Sequence, residues 1–367
     1  MRVKGQNFRT IWQKEDDKEI IQIIDQRLLP HEFLVIDLLT FSDVIEAIQD
    51  MAVRGAPSIG GTAAWGVYLA AVQAKKNGLG IPFILDACKE LVLARPTATN
   101  LKWSIDRILK AIESLDNLDE ILNKVEKEAV DICNEDVKNC ENIGKHGLEL
   151  IHKIAENKSD NTVNILTHCN AGWLATIDRG TATAPMYAAR DAGINIHVWV
   201  DETRPRNQGA NLTAWELLNE EIPHTVIVDN AGGHVMQHGL VDICIVGSDR
   251  TTRSGDVANK IGTYLKALAA RDNNIPFFVA LPDSTFDWDI TDGLKDIPIE
   301  ERDSNEVSNV TGSKNGMIES VRITPYESKS SNFAFDVTPA KYVTGLITPR
   351  GVCDASEDDI NQLYPEY

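Results

Sequence analysis

The amino-acid sequence predicts an α/β protein in which a helical N-terminal domain is followed by a parallel β-sheet. Two patterns lead to this fold class. Apolar residues recur at three-and-four spacing through residues 42–158, as they do in amphipathic helices. Beyond the polar stretch at 156–162, short and almost continuously apolar runs alternate with helical segments, which is typical of a doubly wound parallel sheet. The predicted domains are therefore residues 1–158 and 159–367.

The N-terminal domain is expected to begin with short strands at residues 6–38. The runs IIQIID and FLVIDL are apolar and are separated by LLPHE, a turn signal. Helical periodicity then appears in SDVIEAIQDMAV, GTAAWGVYLAAVQAKK, SIDRILKAIESL and the long segment that starts EILNKVEKEAV. These segments predict a bundle of amphipathic helices.

Five apolar runs predict the strands of the C-terminal sheet: VNILTH (163–168), INIHVWV (194–200), TVIVD (225–229), DICIVG (242–247) and PFFVAL (276–281). Helices are predicted between most of them, at APMYAARDA, LTAWELLNE and ANKIGTYLKALAARDN. Residues 283–320 are long and acidic, and they predict a lid or a surface insertion. The amphipathic segment TPAKYVTGLIT is expected to close the fold.

Composition excludes several classes of partner. The chain has 36 Lys and Arg against 55 Asp and Glu, a net charge of -19, and no basic stripe, so we predict no nucleic-acid partner. The six cysteines show neither a C-x-x-C pair nor zinc-ligand spacing. No apolar run has the length of a membrane span, and the first residues lack the apolar core of a signal peptide. We therefore expect a reduced, soluble, cytoplasmic protein with no membrane partner.

Polar and reactive residues follow each of the five predicted strands. Because ligands of open parallel sheets bind outside the carboxyl ends of the strands, this pattern predicts a small-molecule site. The five groups are His168-Cys169-Asn170, Asp201-Glu202-Thr203-Arg204, Asp229-Asn230, Gly247-Ser248-Asp249-Arg250 and Asp283-Ser284-Thr285.

Cys169 and Asp249 are the candidates for catalysis. A thiol in the first turn after a strand, near cationic groups, can act as a base or nucleophile. An aspartate in an apolar pocket has a raised pKa and can donate a proton. The alternative is structural: an isolated Cys169 would pack as a small apolar side chain, and Asp249 would cap the next helix. The other polar strand ends favour the catalytic interpretation.

Three cationic residues in rigid contexts suggest a phosphate group in the ligand. Asn259-Lys260 is predicted to open a helix, where the N-terminus attracts anions. Arg54 precedes Gly55-Ala56-Pro57 at the start of a glycine-rich helix, and Arg95 precedes the helix-breaking Pro96. In so acidic a chain, an anionic substrate needs such local compensation.

The sequence gives little support for nucleotide, hydrolase or metal sites. There is no G-x-G-x-x-G after a strand, no P-loop and no G-x-S-x-G elbow. His234 and His238 have a spacing that could bind a metal, but no carboxylate pattern completes the site. We predict no metal and neither a dinucleotide nor a P-loop site, and we expect His234 to line the site near Asp229-Asn230.

The longer motifs resemble those of the methylthioribose-1-phosphate isomerases, which share ancestry with the regulatory subunits of the translation initiation exchange factor. The resemblance runs from about residue 9 to residue 352. It rests on RGAPSIGGTAAWG, ARPTATNL, THCNAGWLAT, ETRPRNQGANLTAWEL, DNAGGHVMQHG and GSDRTTRSGDVANKIGTYLKALAA.

The resemblance implies a cofactor-independent conversion of 5-methylthioribose 1-phosphate to 5-methylthioribulose 1-phosphate in methionine salvage. It also implies a cytoplasmic homodimer with a helical N-terminal domain and a Rossmann-like C-terminal domain. Asp249 would be the acid, and Cys169 the base or a transition-state stabiliser. The implied substrate-binding residues are Arg54, Gly55, Ala56, Arg95, Gln208, Asn259 and Lys260.

The sequence departs from the usual family pattern at Asn211, where Arg is common, and at Ser58 and Ser248, where Ala is frequent. These departures leave the sugar's 5-substituent open, with 5-deoxyribose 1-phosphate and ribose 1,5-bisphosphate as alternative substrates. The other alternative is a regulatory binding protein, which would be free to lose Cys169 and Asp249.

Overall fold

The first residues of the chain form two small antiparallel sheets. The computed structural model describes residues 1–95, 99–159 and 162–367. A two-stranded sheet pairs β1 (Arg2–Val3) with β2 (Gln6–Asn7), and a three-stranded sheet contains β3 (Ile11–Gln13), β4 (Ile21–Ile24) and β5 (Val35–Leu38). The strands predicted at IIQIID and FLVIDL are confirmed as β4 and β5.

Five helices follow among the described residues of this part. They are α1 (Phe41–Gln49), α2 (Ala56–Asn77), α3 (Gly80–Leu93), α4 (Thr99–Ile112) and α5 (Leu118–Glu156). Local sequence sets their ends: Thr40 and Asp43 form a capping box on α1, and Asn117 caps α5. Helix α2 ends at Gly78, which adopts the left-handed conformation.

Helix α2 lies at the centre of the bundle and is buried on nearly all sides. Its glycines permit this, because a Cβ at Gly60 would lie 2.9 Å from the Asn100 carbonyl oxygen. The bundle core includes Leu69, Ile105 and Val125. Burial in the bundle therefore holds the start of α2 in a defined position.

The C-terminal part contains thirteen strands among the described residues. In chain order they are β6 (Thr162–Thr167), β7 (Asn195–Asp201), β8 (His224–Ile227), β9 (Ile243–Val246), β10 (Arg250–Thr252), β11 (Val257–Lys260), β12 (Phe277–Ala280), β13 (Phe286–Asp287), β14 (Asn309–Lys314), β15 (Met317–Arg322), β16 (Phe335–Thr338), β17 (Gly345–Thr348) and β18 (Gly351–Cys353). Seven of these form the main sheet, in the order β18-β17-β12-β9-β6-β7-β8. All its pairings are parallel except that of β17 with β18.

Helices cover both faces of the main sheet. The helices of this part are α6 (Ala184–Asp191), α7 (Ala214–Asn219), α8 (Ala231–Gln237), α9 (Thr263–Asp272), α10 (Gly293–Asp296), α11 (Asn305–Ser308) and α12 (Glu357–Leu363). Ile165 packs in the core shared with α5, α6 and α7, whereas its neighbour Leu166 packs in the core shared with α8, α9 and α12. Because both faces are covered, the inner strands are continuously apolar, and the fold class predicted from that pattern is confirmed.

Helix α5 contributes to both parts of the molecule. Its first half packs in the bundle core through Ile121 and Val125, and its second half packs on the main sheet through Ile143 and Ile151. The division at residue 158 remains a prediction, and residues 160 and 161 lie outside the described residues.

A second sheet, β13-β10-β11-β16, corrects one expectation from the sequence. Asn259 and Lys260 do not open a helix; they end β11, and α9 begins at Thr263 after Gly262, whose φ is 100°. The physical reason is strand pairing, since Lys260 is in register with Phe335 on β16, far along the chain.

The acidic stretch at 283–320 contains β13, α10, α11, β14 and the first residues of β15, which pairs with β14 in a hairpin. The closing segment TPAKYVTGLIT contains the end of β16, a short 3-10 turn at Ala340–Tyr342 and β17. Among the described residues, no helix combines the length and the apolar character that a membrane span requires.

Candidate active site

A cavity lies where β6 and β9 end, facing the start of α2. Its walls come from segments at 54–57, 168–171, 247–250, 258–260 and 297–299, with further single residues. All nine residues singled out from the sequence line it: Arg54, Gly55, Ala56, Arg95, Cys169, Gln208, Asp249, Asn259 and Lys260.

Only two of the five polar strand ends, those after β6 and β9, contribute these groups directly to the cavity. Asp229 instead accepts hydrogen bonds from the backbone N–H groups of Thr203 and Arg204, both at 2.7 Å. Asp283 accepts a hydrogen bond from Tyr364 and lies 3.4 Å from Arg350. The expectation that all five strand ends line the site was therefore wrong, because several of them brace the surrounding loops.

Cys169 adopts a left-handed backbone conformation, with a φ of 66°. This conformation is uncommon for a residue with a side chain and needs support from its surroundings. Thr203 Oγ1 accepts a hydrogen bond from the Cys169 N–H at 2.8 Å, and Thr213 Oγ1 donates to its carbonyl at 2.7 Å. Burial raises the pKa of the Cys169 thiol, and Arg54 and Lys260 oppose that effect.

Asp249 follows β9, and its N–H donates to the Ala258 carbonyl at 3.0 Å. Within the described ranges, no residue donates a hydrogen bond to its carboxyl group. Burial raises the pKa of Asp249 above the usual range, although Lys260, Arg54 and Arg95 act in the opposite direction. The carboxyl group is therefore disposed to hold a proton.

Lys260 is a buried cation at the end of β11. Its Nζ donates to the Ala334 carbonyl at 2.8 Å and lies 4.6 Å from the centre of the Phe335 ring. Burial lowers the pKa of Lys260, while Cys169 and Asp249 raise it. Asn259, beside it, donates from Nδ2 to Thr263 Oγ1 at 3.0 Å.

The start of α2 presents backbone N–H groups to the cavity. Gly55 is the N-cap, with a φ of 93°, and has no side chain to cap the first turn. A Cβ there would lie 2.5 Å from the Ala175 Cα, so glycine is required for this close approach. Uncapped N–H groups at the start of a long helix attract anions. Arg54, just before them, is buried and donates from both terminal nitrogens to Asn170.

Arg95 and Gln208 bring buried polar atoms without partners to the cavity. Arg95 Nη2 lies 3.5 Å from Glu300, but Nε and Nη1 have no hydrogen-bond partner among the residues that the structure describes. Burial lowers the pKa of Arg95. Gln208 Oε1, a hydrogen-bond acceptor, is also buried and has no partner within the described part of the chain. Because buried polar atoms are normally paired, both side chains indicate a polar ligand. Pro96–Ala98, which follow Arg95 in its motif, lie outside the described residues.

His168, which the sequence placed in the polar group after the first predicted strand without a role of its own, lines the cavity. Its Nδ1 lies 2.9 Å from Asp201 Oδ2, and its Nε2 lies 2.8 Å from the Ile261 carbonyl oxygen. With Asp229, these side chains could hold a metal ion. Lys266 Nζ lies 3.2 Å from the Asp201 carboxylate, however, so an ammonium group supplies the positive charge there.

Four further residues bear on the expectations from the sequence. His234 is exposed on α8 and does not line the cavity, so its predicted lining role was wrong. Of the three positions that depart from the usual family pattern, Ser248 lines the cavity, whereas Ser58 and Asn211 do not.

The rest of the cavity wall is largely apolar. The side chains of Met51, Ile59, Ile297, Ile299 and Phe335 contribute to it. The cavity therefore combines the cations of Arg54, Arg95 and Lys260 and the acid Asp249 with an apolar surface, which suits a ligand that has one anionic and one apolar end.

Comparisons with known proteins agree with this architecture. The family model for initiation factor 2 subunits matches residues 52–355. The chain is 56% identical to the methylthioribose-1-phosphate isomerase of Desulfatibacillum aliphaticivorans, with coverage of 100% of this chain and 99% of that protein. Identity to the enzyme of the same name from Desulfosudis oleivorans is 57%, over 98% and 97% of the two chains.

Solved structures show the same relationship. The crystal structure of 5-methylthioribose 1-phosphate isomerase from Pyrococcus horikoshii OT3 matches with a TM-score of 0.84 at 41% identity, covering 99% of this chain and 97% of that one. The structure of translation initiation factor eIF-2B, subunit delta, from A. fulgidus matches with a TM-score of 0.78 at 37% identity, covering 98% and 100%.

The fold and these matches define an α/β protein of the initiation factor 2 subunit class. That class includes isomerases and translation factors among the relatives of this chain. With more than half of its residues identical to isomerases over almost its whole length, the chain belongs to the methylthioribose-1-phosphate isomerase family and is an enzyme.

Proposed function

We propose that the chain converts 5-methylthioribose 1-phosphate to 5-methylthioribulose 1-phosphate in methionine salvage, using its own side chains. The observation that carries the proposal is the convergence of the acid Asp249, the thiol of Cys169 and several cations on one partly apolar cavity. The full-length identity to enzymes of that name supports the same substrate.

The phosphate group is assigned to Arg54, Arg95, Lys260 and the start of α2. Arg95 offers two buried donor nitrogens, Nε and Nη1, that have no other partner among the described residues, and Gly55-Ala56 offers uncapped backbone N–H groups. A phosphate dianion would pair with these donors and neutralise the cations. Gln208 Oε1 is then the acceptor for a sugar hydroxyl.

Ring opening is assigned to Asp249. The anomeric oxygen of an aldose 1-phosphate is esterified, so the ring cannot open as a free hemiacetal does. A proton must reach the ring oxygen while the bond from that oxygen to C1 breaks. Asp249 supplies it, because burial raises the pKa of its carboxyl group and favours the protonated form. The ring oxygen becomes a hydroxyl group, and C1 becomes electron-deficient.

Hydrogen then moves from C2 to C1 by one of two routes. In the first, Cys169 as thiolate removes the C2 proton to give an enol and returns it to C1. In the second, hydrogen migrates from C2 to C1 as a hydride, and Cys169 stabilises the passing positive charge. In both routes the C2 hydroxyl proton returns to the Asp249 carboxylate as the ketone forms, so that the acid is regenerated.

The environment of Cys169 favours the hydride route. Its pKa is raised by burial, which keeps the thiol protonated near neutral pH, and a neutral thiol is a poor base. Turnover in D₂O tests this choice. We expect no deuterium at C1 of the product; full incorporation of solvent deuterium would contradict the hydride route and support the enol.

The 5-substituent is assigned to the apolar wall formed with Met51, Ile297 and Ile299. A methylthio group loses unfavourable contact with water there, whereas a second phosphate would bury charge against apolar side chains. Turnover rates with methylthioribose 1-phosphate, 5-deoxyribose 1-phosphate and ribose 1,5-bisphosphate test the assignment. The bisphosphate should be the poorest substrate, and a preference for it would refute the proposal.

A regulatory binding protein is the second candidate, because the chain also resembles an eIF-2B delta subunit at 37% identity. Absence of turnover with all three sugar phosphates would favour it.

We further propose that the chain acts in the cytoplasm as a homodimer. The edge strand β8 and the residue that follows it support a dimer, since Val226 and Val228 are 44% and 59% exposed. Light scattering during size-exclusion chromatography tests this; a monomer would refute it.

A further inference from the structure

We propose that Glu216 is a positioning residue for phosphate binding, acting through Asn170 on Arg54. This inference rests on the proposed function, since it concerns the same phosphate site. Glu216 lies on α7, outside the cavity wall, and is fully buried.

The Glu216 carboxylate accepts four hydrogen bonds. Asn170 Nδ2 and the Leu174 N–H donate to Oε1 at 2.9 and 3.1 Å. The Trp173 N–H and the Tyr187 hydroxyl donate to Oε2, both at 3.0 Å. A buried carboxylate is costly unless it is fully hydrogen-bonded, and these four donors supply that compensation. The loop that follows Cys169 is therefore wrapped around this carboxylate.

The loop can approach so closely because residue 172 is glycine. A Cβ at Gly172 would overlap the Glu216 carboxylate atoms. The contact is thus built from two positions that lie far apart in the chain, and it fixes the backbone that carries Cys169 and Asn170.

Asn170 connects this carboxylate to Arg54. Its Nδ2 donates to Glu216 and, at 3.2 Å, to Thr213 Oγ1. Its Oδ1 and its backbone carbonyl both accept from the terminal nitrogens of Arg54. Above about pH 7, where its raised pKa leaves the group ionised, the Glu216 carboxylate only accepts hydrogen bonds, so it determines which side of the Asn170 amide faces it. The amide oxygen is then left to face Arg54.

If the Asn170 amide were flipped, its NH₂ group would face the Arg54 guanidinium and its oxygen would face the Glu216 carboxylate. Both contacts would be repulsive. Glu216 therefore holds Arg54 in one orientation, with its remaining N–H groups available to the ligand in the cavity that it lines. Orientation of a cation before binding reduces the free-energy cost of ordering it when phosphate arrives.

The test compares Glu216→Gln with a matched control, Glu220→Gln. Glu220 is also buried, at the end of α7, but it binds Arg190 at 2.6 Å and has no contact with Asn170. Calorimetry with inorganic phosphate measures affinity, and steady-state kinetics measures KM and kcat. We expect Glu216→Gln to weaken phosphate binding and raise KM on the order of tenfold, the value of one hydrogen bond to a charged group, with a smaller change in kcat. Glu220→Gln should leave the phosphate affinity and KM unchanged.

A double-mutant cycle with Asn170→Ala tests the route of the effect. If Glu216 acts through Asn170, Glu216→Gln weakens phosphate binding no further in the Asn170→Ala background. Additive effects would overturn the proposal, as would wild-type phosphate affinity in Glu216→Gln. Should Glu216→Gln fail to fold, Asn170→Ala decides alone, because wild-type phosphate affinity in that variant would overturn the proposal.

The phosphate measurement separates this proposal from the proposed reaction. Weakened phosphate binding in Glu216→Gln, together with a wild-type protein that turns over no sugar phosphate, would support the positioning role and refute the reaction. Normal turnover with unchanged phosphate affinity in Glu216→Gln would refute the positioning role alone. A wild-type protein that does not bind phosphate would also refute it.

Discussion

Replacement of Arg95 by methionine is expected to remove phosphate binding without destabilising the ligand-free protein. Arginines that hold a fold together are normally paired. Among the described residues, Arg95 instead has one ion pair, at 3.5 Å to Glu300, and its buried Nε and Nη1 have no partner there. Methionine retains an apolar stem of similar length and removes the charge, so the substitution isolates the role of the guanidinium group.

The magnitude follows from the two unpartnered donors. A hydrogen bond to a charged group contributes about 1.5–3 kcal/mol, so two such bonds to phosphate amount to about 3–6 kcal/mol. At about 1.4 kcal/mol for each factor of ten, affinity should fall by roughly 10²–10⁴-fold. A buried donor without a partner costs about 1–3 kcal/mol in the ligand-free state. The free energy of unfolding of Arg95→Met should therefore stay within about 1 kcal/mol of wild type or rise.

The assay pairs phosphate calorimetry with urea unfolding in the absence of ligand. Arg107→Met is the matched control, because Arg107 lies 3.0 Å from Glu128 and also pairs with Glu135, away from the cavity. That control should lose stability and keep phosphate affinity. If Arg95→Met loses as much stability as Arg107→Met and still binds phosphate normally, Arg95 is a structural residue and the assignment fails.

Three further predictions concern the acid, the start of α2 and a buried carboxyl group. Asp249→Asn should lower kcat by roughly 10²–10⁴-fold while phosphate affinity is retained, because it removes only the proton donor. Gly55→Ala should lower the free energy of unfolding by about 1–3 kcal/mol and weaken phosphate binding, since the residue has a φ of 93° and its Cβ would collide with Ala175. Burial raises the pKa of Glu216 from 4.5 to about 7. Between those pH values the folded state keeps a proton that the unfolded state releases, so the free energy of unfolding contributed by this group falls as pH rises, by up to about 1.4 kcal/mol per pH unit. Glu216→Gln should reduce the measured slope by this contribution in urea titrations between pH 4.5 and 7, whereas Asp136, whose pKa is also raised to about 7, keeps its own.

Each of these expectations has a contradicting outcome. A kcat near that of wild type would exclude Asp249 as the acid. Unchanged phosphate affinity in Gly55→Ala would show that the start of α2 does not bind the anion. An identical pH slope in wild type and Glu216→Gln would show that Glu216 titrates in the folded state as it does in the unfolded state.

The strands of the main sheet could be predicted because both of their faces are buried. Burial on two sides requires almost every residue to be apolar, and such runs are visible in the sequence. The end of β11 was predicted wrongly as the start of a helix, because Asn259 and Lys260 become strand only by pairing with β16. No feature of the local sequence indicates a strand partner so distant in the chain.

The sequence indicated the residue types that line the cavity, but not the hydrogen bonds that hold those residues in place. Polar groups directly after apolar strands are a local pattern, and it pointed to Cys169 and Asp249. The bonds from Asn170 to Glu216 and from Cys169 to Thr203 join positions 46 and 34 residues apart. No spacing rule links such pairs, since they meet only when neighbouring strands and their loops assemble.

The sequence by itself therefore determined the alternation of strand and helix, the acidic surface charge and the chemical groups available for a phosphosugar. The tertiary structure decided which of those groups are buried together, which donors on Arg95 lack partners and how Cys169 is held in a left-handed conformation. The physical reason is that periodicity is a property of neighbouring residues, whereas desolvation and hydrogen-bond pairing depend on every segment that packs around an atom.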